Sequence, residues 1–273
     1  MGLKLASIEN TKNPYYIDIL GIHIYSAEEL FFIIYEHPLL VMEDFINEPL
    51  IGFIKNELYL ASLAAQIDEM KLSGDSDDSI LFMMLESSDL YTFTEISRYR
   101  DRILSLRKLR PSEYMKKKAD YMFELKRYGK AIYWYEKIIK KPLSDGQRLT
   151  ADAFLGSVYN NLGSAYANLF LFEKAYNAYD MAYRHTKDDR ILKHIFFVSH
   201  LEPTIQMRER YQSLARDQIH SDWEHEYRSA MRAVETSDEI KDIDEIFQKD
   251  SIMRRDEITS TIENWKQNYR NMI

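Results

Sequence analysis

Between residues 159 and 182 the chain sets large and small side chains at fixed helical offsets: Tyr159, Leu162, Gly163 and Tyr166, then Ala175, Tyr179 and Ala182. Few folds accommodate such a pattern. Two antiparallel helices approach closely only where small residues sit at their crossing, and Gly163 and Ala175 supply them. The three tyrosines fill the space around the crossing, and residues 168–172 make the turn. A second copy stands upstream. Met115, Ala119 and Met122 occupy its first helix, 126–129 its turn, and Ala131, Tyr135 and Ile138 its second helix. The copies are offset by 44 residues, Ala131 to Ala175, with a polar linker at 142–151 between them. A third copy starts near Arg190, where Ile191, Ile195, Phe196 and His200 suggest a helix; it is degenerate, because Phe197 stands where a small residue is needed.

This arrangement resembles the tetratricopeptide repeat, whose usual period of about 34 residues the linker here lengthens. The whole chain is similar to bacterial proteins built on that repeat, a likeness that carries no activity with it. It implies an all-α, TPR-like α-solenoid of antiparallel helical hairpins, with the first helix of each repeat lining a concave groove. In the second copy the groove strip is Ser157, Asn160, Asn161, Ser164 and Asn168, all uncharged and polar; in the first copy it is Glu113, Lys116, Asp120, Glu124 and Arg127. Asparagine both donates and accepts, which suits the backbone of an extended peptide. Lys116, Asp120, Asn160, Asn161, Ser164 and Asn168 are therefore the candidate partner-binding residues. Some proteins of this family clamp the carboxylate tail of a chaperone. Lys116 and Asn161 match two clamp positions, but Asp120 would repel a carboxylate, and Ile191 and Ile195 stand where the clamp has basic residues.

The flanks also read as helices. Residues 1–25 form an irregular or extended lead, punctuated by Pro14 and Gly21, with one short strand-like segment. Ser26 and Glu29 make a capping box before Leu30, Ile33 and Ile34, and His37-Pro38 ends that helix. A short helix runs to about Asn47 and breaks at Pro49. A long helix spans 51–70, with Ile54, Leu58, Ala61, Ala65 and Ile67 inward, and a loop covers 73–78. Helices at 79–87 and 92–109 follow, the second striped by Ile96, Tyr99, Ile103 and Leu106. Past 202, Ser221 and Glu224 suggest another capping box, and Trp223, Tyr227, Met231 and Val234 one face. Ile258, Ile262, Trp265, Tyr269 and Met272 suggest a last helix that packs back as a cap. The expected organisation is 1–110, helical with the irregular lead; 111–201, the repeat core; and 202–273, the capping helices.

Composition narrows the function classes. With 8 glycines and 6 prolines the chain lacks the turn residues of an all-β fold of this length. It has no cysteine, which excludes disulfides, thiolate metal sites and a cysteine nucleophile. No histidine pair has metal-ligand spacing on a helix, and no phosphate-cradling glycine loop or nucleophile elbow occurs. No catalytic residue, metal or cofactor is therefore assigned. Apolar stretches are too short to span a bilayer, and no secretory signal stands before Pro14, so a cytoplasmic monomer is expected. Charge is uneven: residues 1–101 carry −12, 102–201 carry +9 and the remainder −5. The net charge of −8 and the lack of a recognised RNA module argue against nucleic acid. The sequence thus points to a non-catalytic adaptor that binds a protein or peptide in the groove. The alternative is a regulatory module that senses a peptide or small ligand there.

Overall fold

The computed structural model describes residues 11–140, 148–216 and 219–273, so the start of the chain and most of the 142–151 linker lie outside it. The described chain is all-α, with helices packed in adjacent pairs behind one small β-hairpin. It divides into two compact units, Met1–Tyr114 and Met115–Ile273.

The first unit opens on β1 (Tyr15–Ile17) and β2 (Ile22–Ile24), paired antiparallel with Tyr15 opposite Ile24. A single extended segment was expected. Instead the chain reverses over 18–21, where Gly21 takes a positive φ of 65° and Ile17, Leu20 and Ile24 turn inward. Six helices follow: α1 (Ala27–Glu36), α2 (Pro38–Val41), α3 (Glu48–Asn56), α4 (Ala61–Ser73), α5 (Asp77–Glu86) and α6 (Phe93–Arg107). The capping box at Ser26 is formed in both directions. Leu30 and Ile34 of α1, Leu50 and Ile54 of α3, Ile80, Leu81 and Met84 of α5, and Ile103 of α6 form a fully buried core.

Three further expectations for this unit fail. Pro49 opens α3 rather than breaking a helix, because proline's missing N–H costs nothing in a first turn. The helix expected over 51–70 is two helices, interrupted at 57–60 where Tyr59 adopts φ 56°. Ile67 turns inward on α4 as expected, but Leu63 and Ala64 do so in place of Ala61 and Ala65, which are exposed. The expected 73–78 loop shrinks to three residues. Gly74 ends α4 in the left-handed conformation, and Ser76 caps α5, so Asp77 and Asp78 lie in its first turn.

The second unit contains most of α7 (Pro111–Glu124), then α8 (Tyr128–Lys140), α9 (Arg148–Asn168), α10 (Phe172–Thr186), α11 (Asp189–Leu201) and the short α12 (Glu209–Leu214). The linker is shorter than expected, since 148–151 already belong to α9. Helices α9 and α10 form the tightest hairpin. Ala175 and Ala182 are fully buried at the crossing, and a Cβ on Gly163 would stand 2.7 Å from the Tyr179 ring. In the upstream copy Ala119, Met122, Ala131 and Tyr135 are likewise buried without residual exposure.

A π-helical turn at Ile219–Trp223 leads into α13 (Glu224–Glu235), α14 (Asp238–Gln248) and α15 (Ser251–Met272). The side chain of Ser221 lies outside the described residues, so the capping box expected there is not described. None of the three last helices contains a buried residue. Trp223 is buried against Phe196, while Met231, Val234 and Trp265 stay exposed. The end of α15 does pack on the repeats: Met272 lies against the cluster of Tyr128, Ala165 and Leu169.

Candidate functional site

The first helices of the three repeat copies, α7, α9 and α11, carry the polar strip, and their side chains bond to one another across the helix boundaries. On α7, Lys116 Nζ lies 2.7 Å from Asp120 Oδ2, an ion pair one helical turn apart. Asp120 Oδ1 accepts from the Tyr135 hydroxyl at 2.7 Å and from Asn161 Nδ2 of α9 at 2.9 Å. Asn161 Oδ1 in turn receives a long 3.4 Å contact from Asn160 Nδ2. Asn160 Oδ1 then meets His194 Nδ1 of α11 at 3.1 Å, a bond that requires the proton on that nitrogen. A line of hydrogen bonds thus crosses all three helices, from Lys116 to His194.

The remaining strip residues differ. Ser164 Oγ is 3.0 Å from the Tyr179 hydroxyl, so it serves the α9–α10 crossing. Asn168 is exposed, and its amide donates to the Ser164 carbonyl at 2.8 Å one turn back. Lys116, Asp120, Asn160, Asn161 and Ser164 are each half-buried and already bonded. Ile191 and Ile195, the positions a carboxylate clamp would need basic, are buried in the core.

Beside the line lies a cavity of about 420 Å³ walled by α9, the α10–α11 turn and α11. Ser157, Asn160, His194, Asp188 and Arg190 supply its polar wall, and Ile191 an apolar patch. Its charges cancel locally, because Arg190 chelates Asp188 through both Nε and Nη2 and holds that carboxyl below its usual range. Burial, reinforced by the Lys193 charge, pushes His194 below the ordinary histidine value and outweighs the opposite pull of Asp188. His194 is therefore neutral at pH 7. Burial and the bond to Asp120 push Tyr135 far up, so it remains a hydroxyl donor. Apart from the Arg190–Asp188 ion pair the wall offers uncharged donors and acceptors, which suit amide groups better than ions.

Sequence reasoning missed two members of this region. His194, which belongs to no histidine pair with metal-ligand spacing, completes the line through a residue 34 positions away. Asp180 on α10 is buried, and it accepts from Arg184, Arg208, Arg210 and the Tyr211 hydroxyl. Burial alone would raise its pKa, but Tyr211 and the arginines outweigh burial and hold it low. The signal was present, since Asp180 follows Tyr176 by one helical turn on the buried stripe of α10. Lys118, in a run of three lysines, is buried with its ammonium 4.6 Å from the Trp134 ring centroid.

Among the described residues no group of three or more histidine, aspartate or glutamate side chains is placed to hold a metal ion, and no helix is long and apolar enough to cross a membrane. No family model, curated protein or solved structure matches the chain.

Proposed function

We propose that the chain is a non-catalytic adaptor of the tetratricopeptide kind, which holds an extended segment of a partner protein along the faces of α7, α9 and α11. The observation that carries this reading is the uncharged polar wall at Ser157, Asn160 and His194, set beside a hydrogen-bonded line that fixes three successive first helices in register. A preorganised row of amide and imidazole groups matches the alternating donors and acceptors of a peptide backbone. Such an adaptor acts as a cytoplasmic monomer, and the absence of cysteine agrees with a reducing compartment.

The cavity's size also favours a second reading, a sensor for a small ligand or peptide, since such pockets commonly enclose about 300–1,000 Å³. Affinity capture from the native host separates the two. The adaptor reading expects one protein to be retained by the native chain and lost with Ser157→Arg, which blocks the wall. The sensor reading expects a small molecule to travel with the purified chain in native mass spectrometry. A partner held equally by the native chain and by Ser157→Arg would overturn the groove as the site.

A further inference from the structure

The line of hydrogen bonds from Lys116 to His194 has a direction, and that direction sets the chemistry of the cavity at its end. Asp120 is a carboxylate paired with Lys116, so it can only accept. Asn161 must therefore turn its Nδ2 toward Asp120, which leaves its Oδ1 for Asn160. Asn160 in turn gives Nδ2 to Asn161 and offers Oδ1 to His194. Reversing either amide would set oxygen against oxygen. The relay thus places the imidazole proton on Nδ1 and leaves Nε2 as a bare acceptor. Nε2 makes no hydrogen bond among the described residues and is not closed off from solvent. His194 and Ser157 both line the cavity of about 420 Å³, and the Ser157 hydroxyl likewise has no partner among the described residues. The cations alongside are neutralised, Arg190 by Asp188 at 2.7 Å and Lys193 by Glu226 at 2.7 Å. The cavity therefore combines one fixed acceptor with one hydroxyl and offers no unpaired charge.

We propose that this cavity selects a primary carboxamide, the side chain of glutamine or asparagine on the partner segment, over the carboxylate of the same shape. Its N–H groups would donate to His194 Nε2, and its oxygen would accept from Ser157. A glutamate or aspartate brings no donor, and its oxygens would meet the Nε2 lone pair in a site without a free cation. Burial keeps His194 neutral at pH 7, so the ring does not supply the missing proton. Asp120 is a positioning residue: it does not line the cavity, yet through two amides it fixes which ring nitrogen carries the proton. This selectivity rests on the groove reading proposed above.

Two nuclear magnetic resonance measurements on the full chain at neutral pH test it. The first needs no ligand: long-range proton–nitrogen spectra of protein labelled at histidine report which ring nitrogen is protonated. His194 should carry its proton on Nδ1. Asp120→Asn, which can donate as well as accept, should move part of the population to Nε2. The second is a titration with acetyl-Gly-Gly-Gln-Gly-Gly-amide and with its glutamate counterpart. The glutamine peptide should move the Ser157, Asn160 and His194 resonances saturably and bind at least about tenfold more tightly than the glutamate peptide. Asp120→Asn should erase most of that preference. If Asp120→Asn does not fold, Asn160→Ala decides, because it cuts the relay beside the ring and should have the same two effects. A native proton on Nε2, equal affinity for the two peptides, no saturable shift at these residues, or a preference that survives in a folded variant would overturn the proposal. Equal affinity at the wall leaves the groove reading standing; that reading fails separately, if the host partner stays bound to Ser157→Arg.

Discussion

A methyl group at Gly163 would meet the face of a ring that has no room to retreat. The added Cβ would lie 2.7 Å from Tyr179 Cε1 and 2.8 Å from Cδ1. Tyr179 is 4% exposed, its hydroxyl is tied to Ser164, and its ring packs 5.0 Å from that of His194. Overpacking of this kind costs about 1–3 kcal/mol. Replacing glycine by alanine inside a helix contributes about 1 kcal/mol in the opposite direction. Gly163→Ala should therefore destabilise the native chain by up to about 2 kcal/mol, or about 2–4 °C of melting temperature for each kcal/mol. In a Tyr179→Leu background the ring atoms that clash are gone, and the same substitution should stabilise by about 1 kcal/mol. Urea unfolding followed by far-ultraviolet circular dichroism gives all four corners of the cycle. A stabilisation of equal size in both backgrounds would refute the close crossing of α9 and α10.

Asn161→Ala should cost about 1 kcal/mol, because Asp120 loses one of its three donors, whereas exposed Asn168→Ala should stay within about 0.5 kcal/mol; denaturant midpoints separate the two. The folded state holds His194 below its unfolded value of about 6.5, so the unfolded chain takes up the proton more readily as pH falls. Stability should therefore decline as pH drops below about 6.5, and His194→Gln should reduce that decline near pH 6, leaving the part owed to His37, which burial also holds low, and, at lower pH, to carboxylates held low such as Asp180 and Asp188. Asp180→Asn should cost about 1–3 kcal/mol in the same assay; the figure is moderated because Arg184, Arg208 and Arg210 are about half exposed and regain water.

Much of the local structure was legible because it depends on neighbours in sequence. The stripe Ile96, Tyr99, Ile103 and Leu106 is buried as its spacing requires, and Ser26 with Glu29 caps α1. Gly163 and Ala175 sit at a close helix crossing for the same reason. The break between α3 and α4 was not legible. Apolar spacing continues through 57–60, and the chain turns there at Tyr59, a residue with no bias toward positive φ. The reversal at 18–21 was hidden because strand-like residues lie on both sides of it.

The candidate site was legible as a row of polar residues but not as a network. Asn161 meets Asp120 across 41 positions, and no local pattern announces such a partner. The expectation that these side chains stand free in a groove is therefore revised. Five of the six candidates are half-buried and bonded within the protein, and Asn168 alone is exposed. The open space lies beside the strip, in the cavity that half-buried Ser157 and His194 line.

Site-specific photo-crosslinking in the native host tests the binding face most directly. A benzophenone side chain replaces Ala153, exposed at the rim of the cavity, or Asn168 on α9 in one pair of variants, and exposed Tyr133 on α8 or Phe247 on α14 in another. If the faces of the first helices hold the partner, irradiation should attach one and the same protein at 153 and 168 and none at 133 or 247. Adducts confined to 133 or 247, with none on α9, would contradict that reading and place the partner elsewhere on the chain.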